Sequence, residues 1–336
     1  KTPAVFAQYA GDTRIEFRLA KIDPDGNCTE GVTRTYSNLT NNAYENIKTL
    51  VQWNPDHYLN VWVVKSIEPS REIDGRILGY AQFPTKLWSN PGTDGVVLID
   101  DRCGSIETAT GNYGRTLTHE AGHWLNLIHI WGDEDCGNDD VNDTPVAKGS
   151  NHGVCTDDFP YHKNICDAAS VQTITQESGE MFMNYMDYSD DYCLNMFSLG
   201  QGARMRSAIN QYRVNLTTES NLIATGTSDD HVTVACAPIA VFKANYTYGC
   251  AGDGFNYESN SYNTPVDNIS AYEWTFEGGT PSSSTEQNPS VVYNESGVFS
   301  TTLTATNSVG SNTTTKETYV NISPENADMS APYFQN

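Results

Sequence analysis

Apolar and polar positions follow different patterns in two parts of the 336-residue chain. Up to about residue 220 the pattern predicts an α+β domain, with strands at 13–23, 59–64, 77–83 and 95–100 and helices at 42–53, 116–126 and 198–213. From Cys236 onward, alternating runs separated by turn residues predict a β-sandwich with strands at 239–244, 254–257, 271–276, 290–293, 298–307 and 313–322. We therefore expect domains at 1–220 and 236–323, a linker at 221–235 leading into a short strand, and a flexible tail at 324–336.

The predicted helix that begins near residue 116 carries the main candidate chemistry. His119 and His123 are four residues apart, so on an α-helix both imidazoles lie on one face and can share a metal ion. Glu120 follows His119 directly and in this motif acts as a general base. His129 lies six residues beyond His123, so the helix must end near Asn126, where left-handed backbone angles favour Gly first and Asn second. Three imidazoles that leave a fourth position for water predict a catalytic zinc site.

Two motifs in this half of the chain carry a family resemblance. The stretch from His119 to His129 resembles the long zinc motif of metzincin metallopeptidases, with Asn126 in place of the usual Gly. Asn184-Tyr-Met-Asp-Tyr-Ser189 resembles their methionine turn. Together with 15–20, 23–26, 143–145 and 197–201, these motifs resemble the pappalysin family over roughly residues 10 to 215. The resemblance implies a metzincin-type catalytic domain, with a twisted sheet, an active-site helix and a Met-turn, and a zinc-dependent endopeptidase activity.

The resemblance also implies roles for individual residues. Met186 would be a soft apolar floor beneath the imidazoles. The Tyr188 hydroxyl would assist the oxyanion that forms during peptide hydrolysis. The strand at 77–83 would be the sheet edge that pairs with an extended substrate, although an ordinary sheet strand is an equal alternative.

An acidic, irregular stretch follows His129. Its carboxylates, with Gly and Asn between them, suit a hard cation such as Ca²⁺, although the spacing is not that of an EF-hand. Pappalysin-like domains carry structural calcium here, so the resemblance implies a calcium site to which we assign Asp140, Asp143 and Thr144. The alternative is a solvated acidic loop. Farther on, Asp190 and Asp191 are assigned to the substrate pocket, where two acids would suit a basic side chain at P1′.

The eight cysteines are even in number and form no CxxC pairs, which favours disulfides over a structural zinc ribbon. Four of them bracket the loops between His129 and the Met-turn, and their spacing alone leaves three pairings open. The family pattern suggests Cys136–Cys166 and Cys155–Cys193. In the second domain Cys236–Cys250 is expected to join the first strands, which leaves Cys28–Cys103 as the fourth pair.

Composition narrows the location and the partners. The net charge of −23 makes nucleic acid and anionic membranes unfavourable partners and suits a secreted protein. No apolar run is long enough for a transmembrane helix. The chain begins at Lys1 without a visible signal peptide, so we expect a processed or trimmed form of a secreted zymogen. Protein or peptide substrates and a monomeric state are expected.

Motifs in the second domain, Tyr272-Glu-Trp-Thr-Phe-Glu-Gly-Gly279, Asn288-Pro289 and 297–307, resemble a PKD domain of Ig-like architecture. Such a sandwich is an accessory, either a spacer or a module for an extracellular polymer, and does not itself define an activity. Two functions rival the peptidase: an adhesion protein with an inactive metallopeptidase domain, and a zinc hydrolase of non-peptide substrates. The intact Glu120 disfavours the first, and the Met-turn with its pappalysin-like flanks disfavours the second.

Overall fold

The computed structural model describes residues 2–68, 76–86, 91–157, 159–163, 166 and 179–324. Its chain divides into two compact units. The first comprises residues 1–18 and 33–225, and the second comprises residues 19–32 and 226–336. The predicted tail at 324–336 lies outside the described residues except for its first position. No helix in the described ranges has the length and apolarity needed to cross a membrane.

The first unit contains two small sheets and, within the described residues, the longer helices. Its strands are β1 (Ala10–Gly11), β2 (Val61–Val64), β3 (Gly79–Ala81), β4 (Val96–Ile99) and β5 (Phe197–Ser198). Its α-helices are α1 (Ala4–Ala7), α2 (Arg115–Trp124), α3 (Leu199–Tyr212) and α4 (Glu219–Ala224). Single 3-10 turns lie at Asn38–Thr40, Glu45–Thr49, Pro84–Lys86, Pro91–Thr93, Asp100–Arg102, Glu107–Ala109 and Val214–Thr217.

The larger sheet of the first unit has the order β2-β4-β3, with β4 parallel to β2 and antiparallel to β3, and a second sheet pairs β1 with β5. All four residues of β4 are fully buried because this strand is central and covered on both faces. Val96 and Leu98 pack in the same cluster as Trp124, Leu125 and Met186, which joins the sheet to α2. Strand β3 is therefore one of the two edges of this sheet within the described residues, and the resemblance implied an edge position for it.

Two secondary-structure predictions before residue 60 are wrong. Residues 13–23 form no strand; one isolated bridge joins Ile22 to Cys28. The predicted helix at 42–53 is only the 3-10 turn Glu45–Thr49. The linker predicted at 221–235 stays a prediction, but the short strand expected at its end is absent from the described residues: α4 runs to Ala224, and the next strand begins at Phe242. A short apolar pattern is compatible with a strand or a helix but does not require one. The helix predicted at 198–213 is confirmed as α3, including the Ser198–Gln201 capping box.

The second unit is the predicted β-sandwich. Its strands are β6 (Phe242–Ala244), β7 (Tyr248–Cys250), β8 (Gly254–Ser259), β9 (Ala271–Phe276), β10 (Gly279–Thr280), β11 (Ser283–Ser284), β12 (Ser290–Tyr293), β13 (Gly297–Thr306) and β14 (Ser311–Ser323). They form sheets of order β10-β12-β8-β6 and β11-β9-β13-β14-β7. Trp274, Tyr257 and Tyr293 are among the largest fully buried side chains of its core. The strands predicted at 271–276 and 290–293 match β9 and β12 residue for residue.

Two of the four predicted disulfides are confirmed and two are wrong. Cys136 pairs with Cys166, and Cys155 pairs with Cys193. Cys236 pairs with Cys28 and not with Cys250, because residues 19–32 belong to the second unit. Cys103 and Cys250, the partners assigned to Cys28 and Cys236, are both free thiols.

Candidate active site

Three imidazoles converge beside the sheet. His119 and His123 lie on one face of α2, which ends at Trp124. Asn126 then adopts φ +74°, the left-handed conformation that lets the chain turn back towards the helix. His129 returns through this turn, so that its Nε2 atom is 3.2 Å from that of His123 and 3.3 Å from that of His119. The Nε2 atoms of His119 and His123 are 3.1 Å apart.

The opposite nitrogens of these rings fix their tautomers. The Nδ1 of His119 is 2.6 Å from the carbonyl oxygen of Tyr185, and the Nδ1 of His123 is 2.7 Å from that of Leu127. Because a carbonyl oxygen only accepts, each Nδ1 carries the hydrogen. Burial lowers the pKa of His119 well below its ordinary value and that of His123 to about 4, so both rings are neutral near pH 7.

This arrangement fits a metal ion. The Nε2 lone pairs of two neutral imidazoles face each other and cannot form a hydrogen bond between them. Tetrahedral zinc with N–Zn bonds of about 2.0–2.1 Å would hold its nitrogens roughly 3.3 Å apart, close to the separations observed. His119, His123 and His129 are also the one group of at least three His, Cys, Asp or Glu side chains in the described ranges with metal-ligand geometry.

Glu120 is buried next to this triad. It is 6% exposed, and burial raises the pKa of its carboxyl to about 8 in the metal-free chain. The edge strand β3 lies against it: a Cβ added at Gly79 would be 3.0 Å from the Glu120 Cγ. A carboxylate in this position can accept a proton in the site once a nearby cation compensates its charge.

Tyr188 packs against two rings of the triad. Its ring centroid is 4.8 Å from that of His129 and 5.6 Å from that of His119, and the residue is 40% exposed. Burial raises the pKa of its hydroxyl to about 12, so the phenol keeps its proton at neutral pH and remains a hydrogen-bond donor. Trp131 packs edge-on against Tyr188, and His152 packs on it at 5.0 Å.

Met186 lies beneath the helix that carries the ligands. It is fully buried, and its carbonyl oxygen accepts a hydrogen bond from the Ile130 amide. A Cβ added at Gly122 would be 2.4 Å from the Met186 Sδ, so this contact requires glycine on that face of α2. Glycine weakens a helix interior, so Gly122 is a signal of close approach that the sequence analysis did not use.

Two carboxylates attach the ends of α2 to the rest of the unit. At the N-terminus, Asp191 accepts hydrogen bonds from the backbone amides of Tyr113 and Arg115. The sequence assigned this acid to a substrate pocket, but both of its oxygens contact the helix start. The side chain of Asp190 has no such contact and lies 3.7 Å from a Cβ added at Gly153.

At the C-terminus of α2, Asp94 and Arg213 form an ion pair in which both side chains are 1% exposed. The Arg213 guanidinium lies 3.7 Å from the Trp124 ring centroid and donates to the Trp124 carbonyl, one of the last carbonyls of the helix. The Trp124 indole N–H donates to Asp94. Residues 94, 213 and 191 are far apart in sequence from α2, and no local pattern indicated them.

The residues assigned to calcium take other partners in this structure. Asp143 accepts from Ser198 and from the Gly200 amide at the start of α3. Thr144 donates to the buried Asp139, 2.7 Å away, whose pKa is raised to about 7 by burial. Asp140 is 3.6 Å from Arg204. Asp139 was missed by the sequence analysis, and the calcium site stays a prediction.

Comparison with known proteins identifies the class. The model of the M43 peptidase family, described as pregnancy-associated plasma protein-A, matches residues 41–210, and a PKD domain model matches residues 235–322. The chain belongs to the M43 peptidase family and has a PKD domain after its catalytic domain, as the sequence motifs indicated.

Individual proteins similar to this chain are also metalloproteases or mirolysin by name. Mature mirolysin of Tannerella forsythia, solved in complex with a cleaved peptide, is 38% identical with a TM-score of 0.54; the match covers 67% of this chain and 82% of that one. Extracellular metalloproteases of Colletotrichum graminicola and Verticillium alfalfae are 36% and 38% identical over 40% and 39% of this chain. The chain spans about half the length of these curated relatives, 46% and 45%.

Proposed function

We propose that this chain is an extracellular zinc-dependent endopeptidase. The observation that carries the proposal is the convergence of three imidazole Nε2 atoms beside the buried Glu120. His119, His123 and His129 would hold the ion. Zinc, when bound, supplies a Lewis acid that polarises the scissile carbonyl and makes water a better nucleophile.

The protein's own groups perform the remaining steps. Glu120 accepts the proton of the attacking water and returns it to the amine that leaves, so the peptide bond is replaced by a carboxylate and an ammonium group. The Tyr188 hydroxyl donates a hydrogen bond to the oxyanion that forms on the carbonyl. The edge strand β3, which touches Glu120 through Gly79, would pair with the substrate backbone and hold it extended.

Finer points of the proposal concern specificity and cofactors. A basic P1′ residue remains the proposed preference, now with Asp190 as the acid that meets it, because both oxygens of Asp191 contact the start of α2. A structural calcium ion near Asp139, Asp143 and Thr144 would stabilise the charge of the buried Asp139. The PKD domain would bind an extracellular polymer or act as a spacer, and the chain is proposed to be a monomer.

The names of the relatives and the disulfides Cys136–Cys166, Cys155–Cys193 and Cys28–Cys236 support an extracellular location. The alternative, an adhesion protein with an inactive peptidase domain, is disfavoured because Glu120 and all three imidazoles are present together in one site.

The test combines metal analysis with digestion of casein and a peptide library by the wild type and by Glu120→Gln. We expect one zinc ion per chain in both proteins, cleavage by the wild type with basic residues enriched at P1′, and a loss of at least about 10³-fold in the variant. Bound zinc without any cleavage would favour the adhesion alternative. Cleavage without enrichment of basic residues at P1′ would reject only the proposed P1′ preference and leave the peptidase function standing.

A further inference from the structure

The three imidazoles are held in two different ways. His119 and His123 donate from Nδ1 to backbone carbonyls, which are neutral and which no substitution removes. His129 instead donates from Nδ1 to the carboxylate of Asp133. Asp133 is the one charged side chain that contacts the far side of any imidazole of the triad in the described residues, and it is 53% exposed.

The chain around Asp133 is shaped to make this contact. Asp133 has φ +58° and the preceding Gly132 has φ +66°, so two successive left-handed residues turn the backbone. Gly132 has no room for a side chain, because an added Cβ would be 2.5 Å from the Asn138 amide nitrogen. Trp131, just before this turn, stacks on the His129 ring at 4.3 Å with an interplanar angle of 3°. The segment 131–133 therefore contacts His129 on its face and at Nδ1.

We propose that Asp133 is a positioning residue that determines how tightly the triad holds zinc, acting through His129. The carboxylate keeps the hydrogen on Nδ1 of His129, so that the Nε2 lone pair points at the other two rings, and it increases the electron density of that nitrogen. The proposal rests on the proposed zinc function, because it concerns the affinity of the same site. It adds that the strength of the metal site is set by a solvent-exposed side chain outside the HExxH motif.

The test is the zinc affinity of the full-length chain in competition with a chromophoric chelator. Asp133→Asn keeps an acceptor oxygen and tolerates the left-handed backbone, but it removes the charge. We expect its zinc affinity to fall by about 10- to 100-fold. The matched control is Asp135→Asn, which makes the same charge change two residues away at an exposed position in the same loop and should leave the affinity within about twofold.

Two further readouts separate this role from a general structural one. The absorption spectrum of the Co²⁺-loaded chain should shift in Asp133→Asn and not in Asp135→Asn, because the ligand field changes at His129 alone. The urea midpoint for unfolding of the chain without added metal should be the same in both variants as in the wild type.

Equal zinc affinity in Asp133→Asn and the wild type would overturn the proposal and leave the peptidase function intact. An equal loss in both variants would also overturn it, since the effect would then be one of net charge. A wild-type chain that binds no zinc would remove the proposed function and this proposal together.

Discussion

The two units of this protein are stabilised by different chemistry. The sandwich has an apolar core in which Trp274, Tyr257 and Phe276 pack against Leu303, and its strands run in regular ladders. The unit with the metal site has small apolar clusters, long irregular segments and several buried polar pairs, among them Asp94–Arg213 and Asp187–Asn151. The difference teaches that a site built on loops needs directional contacts, because loops bury too little apolar area to fix side chains by packing alone.

Breaking the ion pair behind α2 should have the largest effect. Asp94→Ala leaves the Arg213 guanidinium buried without a counter-ion, and we expect the free energy of unfolding of the first unit to fall by about 3–5 kcal/mol. Urea unfolding followed by tryptophan fluorescence measures it. The control is Lys65→Ala, which removes a surface ion pair in which the Lys65 Nζ atom is 3.2 Å from a carboxylate oxygen of Asp100. This change should alter the unfolding free energy by less than about 1 kcal/mol. Equal effects would mean that burial of the pair is unimportant.

In the sandwich, truncating an apolar core side chain should lower the unfolding free energy by a similar amount without changing peptidase activity. Leu303→Ala creates a cavity at a fully buried position and is expected to destabilise the second unit by about 2–5 kcal/mol. Peptide cleavage at a temperature where the chain remains folded should stay within about twofold of the wild type, because each unit has its own core. A large loss of cleavage would show that the sandwich contributes to the site.

Asp187 in the Met-turn makes the stability of the first unit depend on pH. Asp187 is 1% exposed, accepts from the amide and side chain of Asn151, and has its pKa raised to about 6 by burial, with the nearby Glu180 charge adding to the shift. This folded-state pKa lies above the unfolded value. The contribution of Asp187 to the free energy of unfolding is therefore fully present below pH 4 and is lost as the pH rises through 6, a decrease of about 2–3 kcal/mol.

Comparison with Asp187→Asn isolates this contribution. The variant lacks the titrating group, so its unfolding free energy should lack the decline between pH 4 and 6, even though its overall stability is lower because the amide cannot accept both hydrogen bonds. Parallel curves for the two proteins over that range would show that Asp187 does not titrate there.

The contact between α2 and the Met-turn should give the smallest effect. Gly122→Ala improves helix propensity by about 1 kcal/mol but places a Cβ against the Met186 Sδ, so we expect a net destabilisation of about 1–2 kcal/mol. The double variant Gly122→Ala/Met186→Ala should lose less than the sum of its two single variants, since the second change makes room for the first. Additive losses would contradict the contact.

Local patterns fixed much of this protein in advance. The spacing of His119, Glu120 and His123 lies within one helix, and Asn126 provides the turn that brings His129 back, so nearby residues suffice to predict the triad. Strands β9 and β12 were predicted to the residue, because alternation along a strand directly reflects one buried and one exposed face.

Tertiary structure decided what depends on residues that are distant in sequence. The Cys28–Cys236 pair spans 208 positions, and spacing contains no information about which segments meet at that distance. The segment 13–23 alternates like a strand, yet in the described residues it forms only the isolated bridge between Ile22 and Cys28. The contact of Asp191 with the start of α2 joins residues about 76 positions apart, and its place in the chain gave no sign of it. In each case the outcome depends on which partner satisfies a hydrogen bond or a thiol, and only the folded chain determines that partner.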